Sequence, residues 1–176
     1  KGTLTSNPRN LAAVNGKLFF AADNGSTGSE LWKSDGTEAG TVLVKDINAG
    51  ATASTPTNFA AVGSTAYFAA TDVTNGQELW KSDGTAAGTV LVKDIRTGST
   101  GSAPASLTAV NGVVVFAASD GTNGTELWRS DGSAAGTVMV QDINPGSGNS
   151  NPANFVRIGT TVFFTATSAA TGSELW

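Results

Sequence analysis

The tripeptide Glu-Leu-Trp occurs four times in this chain at a constant interval of 48 residues. This repeat restricts the possible folds more strongly than composition does. The four copies end at Trp32, Trp80, Trp128 and Trp176. Three of them continue into a longer phrase, which reads ELWKSDGTEAGT, ELWKSDGTAAGT and ELWRSDGSAAGT in chain order. Because a constant period of this length is typical of repeat architectures, we expect stacked copies of one structural unit.

The period divides the chain into three complete units and one shorter unit. The units are residues 1–48, 49–96, 97–144 and 145–176, and we predict that each forms one blade, the last of them incomplete with three strands. One proline recurs at the same place in every unit, at Pro8, Pro56, Pro104 and Pro152. The chain opens on Lys1 rather than Met and closes at Trp176 within the repeated phrase, from which we expect a fragment or a processed product.

Each unit carries runs of strand length separated by turn residues. In the first unit the runs cover residues 11–14, 17–22, 29–34 and 41–47, and Asn15-Gly16 between the first two is typical of a tight hairpin. The second run is apolar on both faces, which requires packing on both sides of its sheet. No window has helical periodicity, so we expect almost no helix.

The count of strands bears on assembly. The fourth unit lacks the counterpart of residues 41–47, so we expect fifteen strands and one unpaired edge, which invites pairing. Four antiparallel strands per unit predict an all-β fold, a β-propeller built from four-stranded blades of 48 residues, with a β-solenoid as the main alternative. The sequence leaves open whether four blades close alone, two chains build a ring of roughly eight, or the chain is part of a longer ring.

Composition excludes several classes of function. With a formal net charge of −4 and a pI near 4.6, the chain lacks the basic surface that binds nucleic acid or an anionic membrane. We therefore expect neither as a partner. Apolar runs such as 113–118 are strand-sized, so we expect no membrane insertion. The chain has no Cys and no His, which excludes disulfides, thiolate or imidazole metal sites and Ser-His-Asp triads. We therefore predict no enzyme and no cofactor, and a carboxylate-dependent glycosidase remains a remote alternative.

The recurring Glu, Leu, Trp, Asp, Gly and hydroxyl residues resemble the ELWxxDGT repeat family of bacterial proteins, which are mostly large and secreted or surface-associated. The resemblance covers all four units, and Ser133 is the one departure among the three complete copies. It implies propeller-like repeats and an extracellular or cell-surface location. It provides no catalytic residues.

The repeated residues are interpreted as scaffold. An indole buries roughly 150–250 Å², so we predict that each Trp anchors one blade on the next, with a glycan-stacking platform as the alternative. In the turns we expect the carboxylate to accept backbone N–H bonds while Gly supplies positive φ. These pairs are Asp35-Gly36, Asp83-Gly84 and Asp131-Gly132. We expect the glutamates two residues before each Trp to hydrogen-bond a neighbouring blade. They are Glu30, Glu78, Glu126 and Glu174.

The loops that precede the Trp strands are rich in oxygen ligands. They cover 23–26, 72–76 and 120–124, and we expect plain turns there, with bound calcium as the alternative. These loops and the connections between units differ from unit to unit, whereas the SDGT turn is nearly constant. In an up-and-down blade the varied segments emerge on one face. Asn75, Asn123 and Asn151 are the polar contacts that we predict there, although unconstrained drift explains the variation equally well.

The sequence thus predicts a non-enzymatic propeller module, an extracellular binding or structural scaffold whose varied loops contact a protein or glycan ligand. The alternative is a self-assembling element that completes a larger propeller ring as a homo-oligomer.

Overall fold

The computed structural model describes residues 5–176, and within them the chain forms fifteen β-strands and no helix. The strands are β1 (Arg9–Val14), β2 (Lys17–Asp23), β3 (Ser29–Ser34), β4 (Val42–Lys45), β5 (Thr57–Val62), β6 (Thr65–Asp72), β7 (Gly76–Ser82), β8 (Val90–Lys93), β9 (Ala105–Val110), β10 (Val113–Ser119), β11 (Thr125–Ser130), β12 (Val138–Gln141), β13 (Ala153–Ile158), β14 (Thr161–Ser168) and β15 (Gly172–Leu175). No helix in this range is long and apolar enough to cross a membrane. The first four residues of the predicted first unit lie outside the described residues.

Consecutive strands pair antiparallel in four separate sheets, which confirms the all-β prediction. Sheet 1 has the order β1-β2-β3-β4, sheet 2 has β5-β6-β7-β8, sheet 3 has β9-β10-β11-β12, and sheet 4 has β13-β14-β15. The first strands begin at Arg9, Thr57, Ala105 and Ala153, which occupy the same position in successive sequence repeats. Each sheet is therefore a local meander, and sheet 4 has three strands.

Turn chemistry and side-chain bonding set the strand ends. Asn15 and Gly16 have φ of 47° and 72°, as a type I′ hairpin turn requires, so the predicted hairpin is present. The fourth run forms a strand only over Val42–Lys45, because the N–H of Ile47 donates to the Glu30 carboxylate instead of extending the ladder. The first strand starts earlier than expected, at Arg9, and contains a bulge.

The core lies between successive sheets. Sheet 1 and sheet 2 share one cluster, in which Phe19 and Leu31 pack with Phe68 and Trp80. A second cluster joins sheets 2 and 3, and a third joins sheets 3 and 4. Strand β6 of sheet 2 thus has a partner sheet on both faces, with Phe68 in the cluster shared with sheet 1 and Tyr67 in the cluster shared with sheet 3, as its continuous apolar run requires. Full burial of one such side chain is worth about 1.5–3 kcal/mol.

The first strands lie next to one another in chain order. Strand β1 contacts β5, β5 contacts β9, and β9 contacts β13, whereas β1 and β13 make no comparable contact. The sheets therefore follow one another about their first strands, and residues 5–176 do not close them into a ring.

Candidate functional site

Three glutamates are completely buried between sheets. Glu30 accepts hydrogen bonds from the Ile47 N–H at 2.8 Å, the Ser54 N–H at 2.7 Å and the Ser54 hydroxyl at 2.5 Å. Glu78 accepts the same two bonds from Ser102. Glu126 and Ser150 repeat the arrangement in sheet 3. The expected hydrogen bond to a neighbouring unit is present at these three, whereas Glu174, the fourth glutamate of the prediction, is exposed and makes no such bond within residues 5–176.

The serine also binds the following sheet. The carbonyl of Ser54 accepts the Thr71 N–H of β6 at 2.9 Å, so Ser54 links β3 of sheet 1 to β6 of sheet 2. Ser102 and Ser150 make the equivalent bonds to sheets 3 and 4. We call this arrangement the serine–glutamate clasp. Sequence reasoning missed the serine, although its recurrence at the same position of every unit, from Ser6 onward, was visible.

Burial raises the pKa of the glutamate carboxyl group in two of the clasps. Desolvation raises the pKa of Glu30 above its usual value, and the hydrogen bonds from Ser54 and Ile47 oppose that rise. The pKa of Glu78 is raised for the same reason, against the bonds from Ser102. Since both carboxyl groups are enclosed and saturated with donors, they hold the sheets together and do not face solvent.

The SDGT turns satisfy their own polar groups. In the second unit, Asp83 accepts the N–H of Thr85 at 2.8 Å and its hydroxyl at 2.7 Å, and Gly84 has a φ of 89°. The Thr85 hydroxyl also accepts the Gly88 N–H at 2.9 Å. The hydrogen bond that the Thr85 hydroxyl donates to the Asp83 carboxylate lowers the pKa of Asp83. Asp35 and Asp131 are bonded in the same way, so the structure shows the expected turn at each.

A shallow groove of about 430 Å³ runs between sheets 2 and 3 beside these turns. Tyr67, Lys81, Asp83 and Asp131 line it. The Lys81 ammonium donates to the Gly132 carbonyl at 2.8 Å. Burial raises the pKa of Tyr67, and the nearby Asp131 charge adds to that shift. Two of the turn carboxylates therefore share one groove, which the sequence did not indicate.

The four tryptophans differ in burial. Trp80 and Trp128 are 7% and 6% exposed and pack on the preceding sheet, and their indole N–H groups have no hydrogen-bond partner among residues 5–176. Trp32 is half-buried and Trp176 is 39% exposed. The two inner indoles are inaccessible to a glycan and act in packing between sheets.

The oxygen-rich loops bond internally. Asp72 accepts the N–H groups of Thr74 at 2.8 Å and Asn75 at 2.6 Å, and the Asn75 amide donates back to Asp72 at 2.8 Å. Asp120 and Asn123 repeat this arrangement. Residues 5–176 contain no group of three or more side chains suited to hold a metal ion. The side-chain amides of Asn75 and Asn123 therefore stabilise the loops in which they lie.

The varied segments lie side by side. The connection between units donates to the start of the Trp strand, from Thr55 N–H to Ser29 carbonyl at 3.0 Å and from Ala103 N–H to Gln77 carbonyl at 3.1 Å. Asn151, which is exposed with a φ of 46°, donates its N–H to Thr125 at 3.1 Å. We call this surface the variable-loop face; it comprises loops 24–28, 73–75, 120–124 and 169–171 and connections 48–56, 96–104 and 144–152. Ligand contact by Asn75, Asn123 and Asn151 stays a prediction.

Comparison with known proteins bears on the fold. No model of a protein family matches the chain, and no curated protein matches it. Among solved structures, puromycin hydrolase is similar at a TM-score of 0.60 and 17% identity, covering 98% of this chain and 26% of that one. The AtxE2 isopeptidase is similar at 0.55 and 13%, covering 89% and 24%. The computationally designed Ika8 protein is similar at 0.50 and 15%, covering 96% and 45%.

The chain thus spans less than half the length of these proteins. At such low identity the likeness concerns the fold alone. Propeller-like proteins are among these neighbours, so the comparison supports a propeller-like all-β fold.

Proposed function

We propose that the chain is a non-enzymatic β-propeller repeat module of the ELWxxDGT type, in which each 48-residue unit supplies one blade. It acts as an extracellular scaffold that presents the variable-loop face to a protein or glycan ligand. The observation that carries the proposal is the serine–glutamate clasp, which fixes each sheet to the next beside the loops that vary. A rigid support beneath changeable loops is the usual arrangement of a recognition surface.

Burial supports the scaffold role. The clasp recurs at Glu30, Glu78 and Glu126, always with the apolar cluster of the same interface. The residues repeated in every unit are therefore used in joining sheets. What remains exposed and varied is the loop face, where Val73 is 82% exposed and Asn151 is also open to solvent.

The pKa values and the burial of the carboxyl groups argue against the glycosidase alternative. Glycoside hydrolysis by two carboxyl groups needs an accessible proton donor with a raised pKa beside a carboxylate. The glutamates whose pKa is raised, Glu30 and Glu78, are completely buried. The accessible pair in the groove, Asp83 and Asp131, has lowered pKa values. Neither set supplies both a donor and access.

The test is binding to an array of defined oligosaccharides, with one variant on each side of the molecule. Val73→Asp places a charge on the variable-loop face, and Ala86→Asp places the same charge on an exposed SDGT turn. We expect Val73→Asp to abolish glycan binding and Ala86→Asp to leave it intact. The reverse pattern would contradict recognition by the loops, and hydrolysis of aryl glycosides that is lost in Asp83→Asn would overturn the non-enzymatic assignment.

A further inference from the structure

The groove between sheets 2 and 3 contains a hydroxyl group without a hydrogen-bond partner among residues 5–176. It belongs to Tyr67, a lining residue that is only 5% exposed. The phenol oxygen reaches across to the turn of sheet 3, because a side chain at Gly132 would collide with it. Since buried polar groups almost always have a partner, this hydroxyl indicates that a ligand supplies one in the groove.

The two carboxylates of this groove each keep one oxygen free. Asp83 accepts both of its bonds from Thr85 with Oδ1, and Asp131 accepts both of its bonds from Ser133 with Oδ1. Neither Oδ2 atom accepts a hydrogen bond from the part of the chain that the structure describes. The bonds to Oδ1 lower the pKa of both carboxyl groups, so both are ionised at neutral pH. The groove thus offers two charged acceptors beside the phenol hydroxyl.

The interface between sheets 1 and 2, the first interface, has the same residues as the second interface, between sheets 2 and 3, at six of the eight lining positions. At the other two, Lys17 replaces Thr65 and Phe19 replaces Tyr67. The hydrogen bonds of its own turn and, to a smaller extent, the charge of Lys17 lower the pKa of Asp35. The first interface therefore has an ammonium group of its own near a carboxylate. The second interface has a hydroxyl group and no such ammonium.

The cations that the two interfaces share do not supply the missing charge. Lys81 donates to the Gly132 carbonyl at 2.8 Å, and Lys33 makes the same bond to the Gly84 carbonyl at 2.7 Å in the first interface. Arg129 lies two residues before the aspartate of sheet 3, and Lys81 lies two residues before the aspartate of sheet 2. Compared position by position, the second interface has one cation fewer than the first.

We propose that the groove between sheets 2 and 3 binds a primary alkylammonium group, with Oδ2 of Asp83, Oδ2 of Asp131 and the Tyr67 hydroxyl as acceptors. The bound ammonium takes the role that Lys17 has in the first interface. Its three N–H donors match the three acceptors, and hydrogen bonds between a cation and a carboxylate are among the stronger ones in proteins. The groove volume of about 430 Å³ leaves room for the alkyl chain.

The position of this site separates it from the proposed recognition loops. In each meander the turn between the third and fourth strands lies at the opposite end from the loop between the second and third strands. The groove beside the SDGT turns is therefore remote from the variable-loop face. Sheets 2 and 3 also have a neighbouring sheet on either side, since sheet 1 packs on sheet 2 and sheet 4 packs on sheet 3.

The first test is a titration of isotope-labelled protein with n-butylammonium chloride, followed by the NMR signals of the backbone amides. We expect saturable shifts at Gly88 and Gly132, which lie in or beside the groove. Butan-1-ol is the control without charge, and sodium chloride at the same ionic strength is the control for screening. Neither control should produce saturable shifts at these two amides.

Two variants copy the residues of the first interface into the groove, so we expect both to fold. Tyr67→Phe removes one acceptor and should raise the dissociation constant by about tenfold, as for a lost hydrogen bond to a charged group. Thr65→Lys places an ammonium group of the protein itself in the groove and should abolish saturable binding. Thr161→Lys adds the same charge at the equivalent position of sheet 4 and should leave the dissociation constant unchanged.

The reciprocal change should create a second site. A double variant, Lys17→Thr with Phe19→Tyr, gives the first interface the eight lining residues of the second. We expect a new saturable shift at the amide of Gly40, which is the equivalent of Gly88, in addition to the original shifts. A Gly40 amide that does not respond would show that these two residues do not make the site.

Two further probes distinguish the sources of an alkylammonium group. N-acetyl-lysine methylamide represents the side chain of a protein partner, and putrescine represents a free amine. Tighter binding of the lysine derivative supports the site as a contact for a protein, and tighter binding of putrescine supports it as a site for a small amine. Failure of both to bind contradicts the proposal.

Three results would overturn the inference. Equal shifts with butan-1-ol would show an apolar groove, and equal shifts with sodium chloride would show screening of the two carboxylates. Saturable binding that survives Thr65→Lys and is unchanged in Tyr67→Phe would place the ammonium elsewhere. The proposed function is tested separately, because both variants should leave glycan binding by the variable-loop face intact. Loss of glycan binding in Val73→Asp says nothing about the groove.

Discussion

Ser102 donates both its hydroxyl and its backbone N–H to the buried carboxylate of Glu78, at 2.5 and 2.8 Å, across the connection between sheets 2 and 3. Its carbonyl accepts the Ser119 N–H of sheet 3 at 3.0 Å. One residue in the connection therefore satisfies a buried charge on one sheet and a backbone donor on the next. Both bonds must break for the sheets to separate.

Replacing Ser102 by Ala should destabilise the protein by about 1.5–3 kcal/mol, since it removes a hydrogen bond to a buried charged group. Ser99→Ala is the matched control, because Ser99 lies exposed in the same connection. Urea unfolding of both variants measures the difference. Equal stability of the two would show that the hydroxyl bond to Glu78 contributes nothing.

The same variant predicts a pH dependence. The folded pKa of Glu78 lies above the ordinary 4.5, so its contribution to stability is complete below that pH and is lost as the pH rises through the folded value. The Ser102 hydroxyl restrains this rise in pKa. Without it the folded pKa should climb further, and the stability deficit of Ser102→Ala should grow between about pH 4.5 and neutrality. A deficit that is constant over this range would contradict the hydroxyl's action on the Glu78 pKa.

Trp80→Ala should cost about 3–5 kcal/mol, because it empties a position that is 7% exposed and packed between sheets 1 and 2. Trp80→Phe should cost much less, since the indole N–H has no hydrogen-bond partner to lose in the part of the chain that the structure describes. Trp176→Ala is the comparison at the same position of the motif, where the side chain is 39% exposed. Thermal unfolding ranks the three variants. Similar losses for Trp80→Ala and Trp176→Ala would contradict packing between sheets as the origin.

The turns and strands within each unit could be predicted from the sequence, because they depend on residues that are close together in the chain. The Asn15-Gly16 hairpin, the third strand and the SDGT turn all follow from turn preferences and alternation, and the structure contains them. The strand count followed from the same signals. Each of these features forms within one unit.

Contacts between units were harder to predict. The repeated motif implied the same role for Trp32, Trp80, Trp128 and Trp176, whereas their burial differs. In residues 5–176 no sheet precedes that of Trp32, and sheet 4 has no fourth strand beside Trp176. Asp83 and Asp131 were expected at separate equivalent places, yet neighbouring sheets bring both to one groove. The clasp serine escaped notice because it lies in a connection rich in small polar residues.

Asp83→Asn should isolate the charge in the SDGT turn, since the amide oxygen can still accept from Thr85. The folded pKa of Asp83 is lowered from 3.8, so its contribution is complete above that value and is lost as the pH falls through the folded pKa. The stability difference between the unaltered protein and Asp83→Asn should therefore be constant near pH 6 and vanish in strong acid. Urea unfolding from about pH 2 to about pH 6 tests it. A difference that persists at the acid end would assign the effect to turn geometry instead of charge.

Ser106→Asn should stabilise the protein. Ser106 has a φ of 56°, and its equivalents Asn10 and Asn58 have φ of 55° and 54° and donate their amides to Pro56 and Pro104. Serine cannot make that bond, and Asn tolerates the left-handed region better. An asparagine at this position should reach the carbonyl of Pro152 and add about 0.5–1.5 kcal/mol.

The reciprocal change, Asn58→Ser, should lower stability by a similar amount, and unfolding of both variants under one set of conditions provides the measurement. Ser106→Ala separates the new amide bond from loss of the serine hydroxyl, because it removes the hydroxyl and adds no donor. If Ser106→Asn and Ser106→Ala change stability equally, the amide bond between successive first strands does not form, and the match between the first strands of neighbouring units rests on apolar packing alone.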